Sequence, residues 1–230
     1  MRPIVAMVAI AGALLFSWPA SAGKWQLNGG EPWKQRVGPG LYAAVGGVGC
    51  GEDDFCRDHR YWHSHLVGSL DGIVGFQYRI IPNVVVFFDL STALMPSARD
   101  GYDSDHGFLF RTVGGAEFHV PIMGWLEAYA GFGIGFAFLR FRGEDVHNND
   151  ALVKDTLLGV DFELRTGATV YLFSKAPGLG FGPYYRAGLV FWPTACHDVE
   201  GDSHCDDADQ YDAHDLPFLH HVGIELRYVF

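Results

Sequence analysis

The sequence predicts an all-β fold: eight antiparallel strands in up-and-down meander order, closed into a transmembrane barrel. Three observations predict it. Apolar and polar side chains alternate with a period of two through seven separate segments, and successive strand residues point to opposite faces. The connections between those segments alternate between short turns and long polar stretches, the pattern of barrels that cross a membrane with strands. Finally, hydrophobic residues make up 49% of the chain, yet beyond the first residues none of it is gathered into the ~20-residue apolar run of a membrane helix.

Residues 1–22 read as a secretory signal. Arg2 gives a positive start, Ile4 to Phe16 is an almost unbroken apolar run, and Ala20-Ser21-Ala22 supplies small residues for cleavage after Ala22. The run is too short for a spanning helix, which needs about 20 residues. Gly23 follows, with no cysteine there to carry a lipid. Residues 23–39, with Trp25 and Trp33, read as a periplasmic lead-in, and residues 40–230 as one barrel domain. The chain has 27 acids against 16 bases, a balance that argues against nucleic acid as a partner. Four cysteines, Cys50, Cys56, Cys196 and Cys205, fit an oxidising, exported compartment.

The first strand, about Leu41 to Gly49, is rich in small residues and its faces are not assignable from sequence. In Val67 to Ile80, Leu70, Val74, Phe76, Tyr78 and Ile80 oppose Asp71, Gln77 and Arg79. In Val84 to Leu94, Phe88, Leu90 and Leu94 oppose Asp89 and Ser91. In Phe108 to Val120, Phe108, Phe110, Phe118 and Val120 oppose Arg111, Gly115, Glu117 and His119. In Leu126 to Phe138, Phe132, Ile134, Phe136 and Phe138 oppose Glu127, Tyr129, Gly131, Gly133 and Gly135. In Leu158 to Leu172, Leu158, Val160, Phe162 and Leu164 oppose Asp161, Glu163, Arg165 and Gly167. In Phe181 to Trp192, Tyr185, Leu189 and Phe191 oppose Tyr184, Arg186 and Gly188. The last strand is the clearest: Val222, Ile224, Leu226, Tyr228 and Phe230 on one face, His221, Gly223, Glu225 and Arg227 on the other. Pro82-Asn83, Pro121 to Trp125 and Lys175 to Gly180 are the short connections. Cys50 to Trp62, Pro96 to Gly107, Gly143 to Asp155 and Cys196 to Pro217 are the long polar ones.

Closure follows from solvation. In lipid every backbone donor and acceptor needs an internal partner, and strands achieve that only in a ring. The Phe/Leu/Val face then meets hydrocarbon, and the charged face turns inward. Eight strands leave just enough room for side chains to fill the interior. Asp71, Asp89, Glu117, Glu127, Asp161, Glu163 and Glu225 therefore face Arg79, Arg111, Arg165, Arg186 and Arg227 in a lumen network, where unpaired charges would be costly. Gly131, Gly133 and Gly135 form one inward column. It either leaves room for long side chains from across the barrel or relieves curvature in a bent strand. A secreted lipocalin-like barrel also has eight strands, with the apolar face inside. The concentration of glycine on the charged face, the aromatic strand ends and the position of Phe230 favour the membrane barrel.

The ending Ile224-Glu225-Leu226-Arg227-Tyr228-Val229-Phe230 resembles the C-terminal signature of bacterial outer-membrane barrels. Residues 40 to 230 as a whole resemble the small outer-membrane β-barrel group of OmpA/OmpX/OmpW-like proteins. The resemblance implies integration in the bacterial outer membrane, with lipid and lipopolysaccharide as surroundings. It also implies that Tyr228 and Phe230 are read by the barrel-assembly machinery. It carries no catalytic motif, and no peptidoglycan-binding domain follows the barrel. The function it implies is structural or in surface interaction, with the lumen plugged by its ion pairs and acidic loops displayed outside. The alternative is a narrow porin or a transporter for a small or hydrophobic solute.

The remaining candidates are weaker. The acidic loops, with Asp198, Asp202, His204 and Asp206 as the nearest to a metal set, match no defined calcium or zinc spacing and read as a solvated acidic surface. Intraloop disulfides, Cys50 with Cys56 and Cys196 with Cys205, are the expected pairing, with two other connectivities open. His63-Ser64-His65 is too little to support acyl transfer, although some small outer-membrane barrels are lipid A deacylases. The expectation is a monomeric, non-enzymatic barrel without a cofactor.

Overall fold

The computed structural model describes residues 37–50, 70–95, 102–145, 151–172, 178–199, 202–207 and 218–230. Residues 1–36, which hold the expected signal and most of the expected lead-in, Cys56 and His63-Ser64-His65 lie outside them. The described residues form nine strands: β1 (Gly38–Cys50), β2 (Leu70–Ile81), β3 (Val84–Met95), β4 (Tyr102–Met123), β5 (Leu126–Asp145), β6 (Ala151–Tyr171), β7 (Gly178–Val199), β8 (Asp202–Asp207) and β9 (Phe218–Val229). Each of β1 to β7 pairs antiparallel with the next, β7 pairs with β9, and β9 pairs with β1. Eight strands therefore make a closed meander barrel, and β8 is a short addition that pairs with the far end of β7. Among the described residues there is no helix.

Closure is staggered. From Gly46 the ladder runs one way, through Asp71, Ala93, Leu109 and Leu139, to Leu157 on β6. The other way, through Gly223 and Tyr184, it arrives at Gly167, ten residues further along the same strand. Such a shear tilts the strands roughly 40° from the barrel axis and gives an interior that side chains can fill.

The faces are those of a membrane barrel. Phe132 and Phe136 are 66% and 70% exposed on the outside, whereas Arg111, Glu117, Asp161 and Arg227 are buried within. A lipocalin-like arrangement, apolar inside, is thereby overturned. The faces of β1, which sequence left open, are also settled: Tyr42, Ala44 and Val48 point inward, and Leu41 and Val45 outward.

Strand lengths depart from expectation at one end. The stretches Gly143 to Asp155 and Cys196 to Pro217 read as loops, but β5 runs on to Asp145, β6 starts at Ala151, and β7 continues to Val199 before turning back as β8. β4 likewise begins at Tyr102, inside a segment that reads as a loop. The reason is physical. Polar composition reports solvent contact, and paired strands remain satisfied in water once their neighbours extend with them. The result is a lopsided wall. β4 to β7 have 20 to 22 residues each, against 12 or 13 for β1, β2, β3 and β9.

In the glycine column, Gly131 and Gly135 lie against the backbone of β4, whereas Gly133 makes room for the Val113 and Phe87 side chains. A β-carbon at Gly135 would run into the Thr112 carbonyl of β4, and one at Gly131 would sit 2.5 Å from the Ala116 carbonyl. Room for side chains decides other positions: Gly75 lies under the Tyr42 ring and Gly167 under the Tyr129 hydroxyl. Gly135→Ala is expected to destabilise the folded barrel by about 1–3 kcal/mol through overpacking. Gly72→Ala, whose new β-carbon would face outward with Thr92 Oγ1 at 4.0 Å, should change stability by less than about 0.5 kcal/mol. Urea unfolding of both variants in phospholipid vesicles is the measurement.

Candidate functional site: the buried polar lumen

Because strand residues alternate, every second position of all eight wall strands faces the interior. The charges that meet there form one network in the middle of the barrel. Glu117, from β4, is its hub. It accepts Arg227 Nη1 at 2.6 Å and Nη2 at 3.0 Å, Arg165 Nη1 at 3.1 Å, and lies 2.9 Å from His119 Nε2. Arg165, from β6, donates to Glu163 and Asp89 and lies across the Phe87 ring, 3.5 Å from its centroid. Tyr42 donates to Asp89 at 2.6 Å, and Arg186 reaches the same oxygen at 2.9 Å. These are charge-assisted bonds, several of them multidentate, and they link strands on opposite sides of the ring.

Two further groups extend the network. Toward the short-turn end, Arg79 donates to Glu127 at 2.8 Å and to the Pro82 carbonyl at 2.8 Å, and Tyr129 donates to Glu225. Toward the long-strand end, Arg111 donates to Asp161 at 2.6 Å and Glu163 at 2.7 Å. Arg111 Nη1 also lies 2.6 Å from His221 Nε2. A guanidinium only donates, so His221 accepts there and presents its Nδ1–H to Asp71 at 2.8 Å. All twelve charged residues singled out in the sequence are in this one network. His119, His221, Tyr42, Tyr129 and Gln77 join it. The alternation places His119 and His221 on the inner face, but a charge count passes over them, and Tyr42 is on the strand whose faces were open.

A second layer was not expected. Toward the long-strand end the inward residues turn apolar: Val48, Leu109, Leu139, Val190, Trp192 and Leu219 are all buried. They cover the ions with a greasy tier inside the barrel. The arrangement can hold shape and exclude solvent. The lumen acids and bases face one another and are buried.

The outside of the wall is apolar from Trp125 at one end to Phe108 at the other. In overall course the chain is similar to neisserial surface protein A, with a TM-score of 0.52 and 11% identity over 84% of this chain and 97% of that one. It is also similar to a major outer membrane protein from Thermus thermophilus, with a TM-score of 0.54 and 15% identity over 82% of this chain and 99% of that one. The chain has the fold of the small outer-membrane β-barrels. At these identities the likeness is one of fold. No protein-family model matches the chain, and no curated protein matches it in sequence.

On this outer-membrane-type barrel the other candidates fall as follows. Tyr228 and Phe230 close the wall at the short-turn end, their rings edge to face at 4.9 Å, with Phe230 N–H donating to the Pro39 carbonyl. Cys196 and Cys205 are directly opposite in the β7–β8 ladder and form a disulfide. Cys50 ends β1, and the proposed Cys50–Cys56 pair lies outside the described residues. Asp198 approaches Lys154 Nζ at 3.9 Å. Asp202, His204 and Asp206 are on β8, with side chains outside the described set. Among the described residues no three His, Cys, Asp or Glu side chains are grouped to hold a metal.

Proposed function

We propose that the protein is an integral, non-catalytic, monomeric component of the bacterial outer membrane, delivered by the signal in residues 1–22 and closed to solutes. Its role is structural or in surface interaction: the barrel is a sealed post that carries the extended ends of β4 to β7, with β8, into the outer space. The observation that carries this reading is the two-tier filling of the lumen. Arg227, Glu117 and Arg165 interlock across the barrel, and Leu109, Leu139 and Trp192 close it above them. Small barrels are filled rather than hollow, and buried charges with mutual partners have no gain from admitting a passing ion. The orientation follows from the short turns, which are periplasmic in barrels of this type. Tyr228 and Phe230 would then meet the assembly machinery from the periplasmic side.

Planar-bilayer recording tests the reading. The folded protein is expected to insert without stable single-channel steps. Reproducible steps from the unaltered chain would replace the sealed post by a narrow porin.

A further inference from the structure

Five of the chain's 16 Lys and Arg residues (Arg79, Arg111, Arg165, Arg186 and Arg227) are spent inside the lumen. Three others, Arg140, Arg142 and Lys154, hold neighbouring positions of the β5–β6 ladder. In the ladder, Arg142 of β5 is directly opposite Lys154 of β6 and His106 of β4. One step nearer the membrane, Arg140 is opposite Phe108 and Thr156. One step further in, the same three strands present Phe110, Phe138 and Leu158. Arg140 is exposed on this face and has no acidic partner among the described residues. Among the described residues Lys154 makes a long contact to Asp198, at 3.9 Å, with its side chain about 29% exposed. Glu144 is the next position of β5 on this side, beyond the basic row.

The height of this cluster is set by the apolar wall below it. Every outward position of β5 from Leu126 to Phe138 is apolar. At ~3.4 Å per residue and a tilt of roughly 40°, that run rises about 30 Å, just past the ~25 Å apolar band of a transmembrane barrel. Arg140 comes next. It stands where the headgroups of the outer leaflet begin. In a chain of net charge −11, three bases at neighbouring ladder positions, with Phe108, Phe110 and Phe138 next along the same strands, are complementary to a lipid that joins phosphate to acyl chains.

We propose that Arg140, Arg142 and Lys154 form a binding site for the phosphate groups of an outer-leaflet glycolipid, whose acyl chains lie along Phe108 and Phe138. The site rests on the outer-membrane reading above. Guanidinium groups suit phosphate oxygens through paired N–H donors, and the low dielectric of the adjoining lipid strengthens each contact.

The test uses the full chain folded into phosphatidylcholine vesicles doped with bis-phosphorylated lipid A. The readout is the lipid A retained on the protein after extraction into mild detergent. Retention is expected to exceed that of phosphatidylcholine, to fall with salt, and to survive millimolar inorganic phosphate. The triple variant Arg140→Gln, Arg142→Gln, Lys154→Gln should bind roughly fivefold more weakly per charge removed, on the order of a hundredfold in all. Arg140→Gln alone should show about fivefold and serves if the triple variant does not fold. A folded triple variant that retains lipid A like the parent overturns the site. So does displacement by inorganic phosphate, which would make it a free-anion site. A parent that inserts but retains no lipid A overturns the site and leaves the membrane reading standing. A parent that never enters vesicles brings down both.

Discussion

Arg165→Met is expected to cost about 3–5 kcal/mol of barrel stability, the range for breaking a buried ion pair from one side. The size follows from what is left behind. Arg165 supplies donors to Glu163 at 2.6 and 2.9 Å, to Asp89, to Glu117 at 3.1 Å and to the Tyr42 hydroxyl at 3.2 Å. Methionine matches much of the arginine stem but none of those donors. Asp89 would retain Arg186, Glu163 would retain Arg111 and Arg186, and Glu117 would retain Arg227. The surplus negative charge would nonetheless stay among side chains buried within the barrel. Urea unfolding in vesicles, followed by tryptophan fluorescence and by the folded band on an unheated gel, measures the loss. Adding Glu163→Gln to Arg165→Met should restore part of it, because the second change removes one unit of the surplus negative charge. Lys154→Gln is the surface control. Its pair with Asp198 is long and partly exposed, and its loss should cost less than about 1 kcal/mol. A cost for Arg165→Met as small as that of the control would mean that water reaches the network, and the sealed-post reading would fail with it.

Much of this barrel is legible in the sequence because a strand between lipid and a filled lumen must alternate. Ile224, Leu226 and Tyr228 against Glu225 and Arg227 leave one face for hydrocarbon and one for the interior, and the structure places them so. The same alternation brings the twelve charged residues to one lumen. What sequence misses has definite causes. β1 carries Gly46, Gly47 and Gly49 beside alanine and valine, so its two faces differ too little in polarity to be told apart. Toward the ends of β5, β6 and β7 polar residues fall at both odd and even positions, so the period-two contrast fades although the strand pairing continues. The inner apolar tier breaks the rule that greasy residues point outward. Leu109 is between Phe108 and Phe110, and Val190 between Leu189 and Phe191. Such unbroken apolar runs mark a strand buried on both faces, here by lipid outside and by the tier within. The close approach of β4 to Gly135 is a matter of backbone distance, which composition does not report.

The orientation of the wall has its own decisive experiment in the substitution of outward phenylalanines. Phe132 is 66% exposed on β5, midway along the apolar run from Leu126 to Phe138. Phe132→Arg places a guanidinium at the bilayer midplane, where such changes cost about 2–4 kcal/mol in transmembrane barrels. Phe138→Arg, at the outer end of the same face and next to Arg140, should cost no more than about 1 kcal/mol because the side chain reaches the interface. The depth dependence is the discriminating feature. In water an exposed phenylalanine is a liability, and both arginine substitutions would be neutral or would improve solubility. In lipid the two positions separate, with the midplane variant refolding poorly into vesicles and unfolding at distinctly lower urea. Equal behaviour of the two variants in vesicles would remove hydrocarbon from the outer face, and with it the reason for enclosing seven carboxylates and five arginines inside a ring without edges.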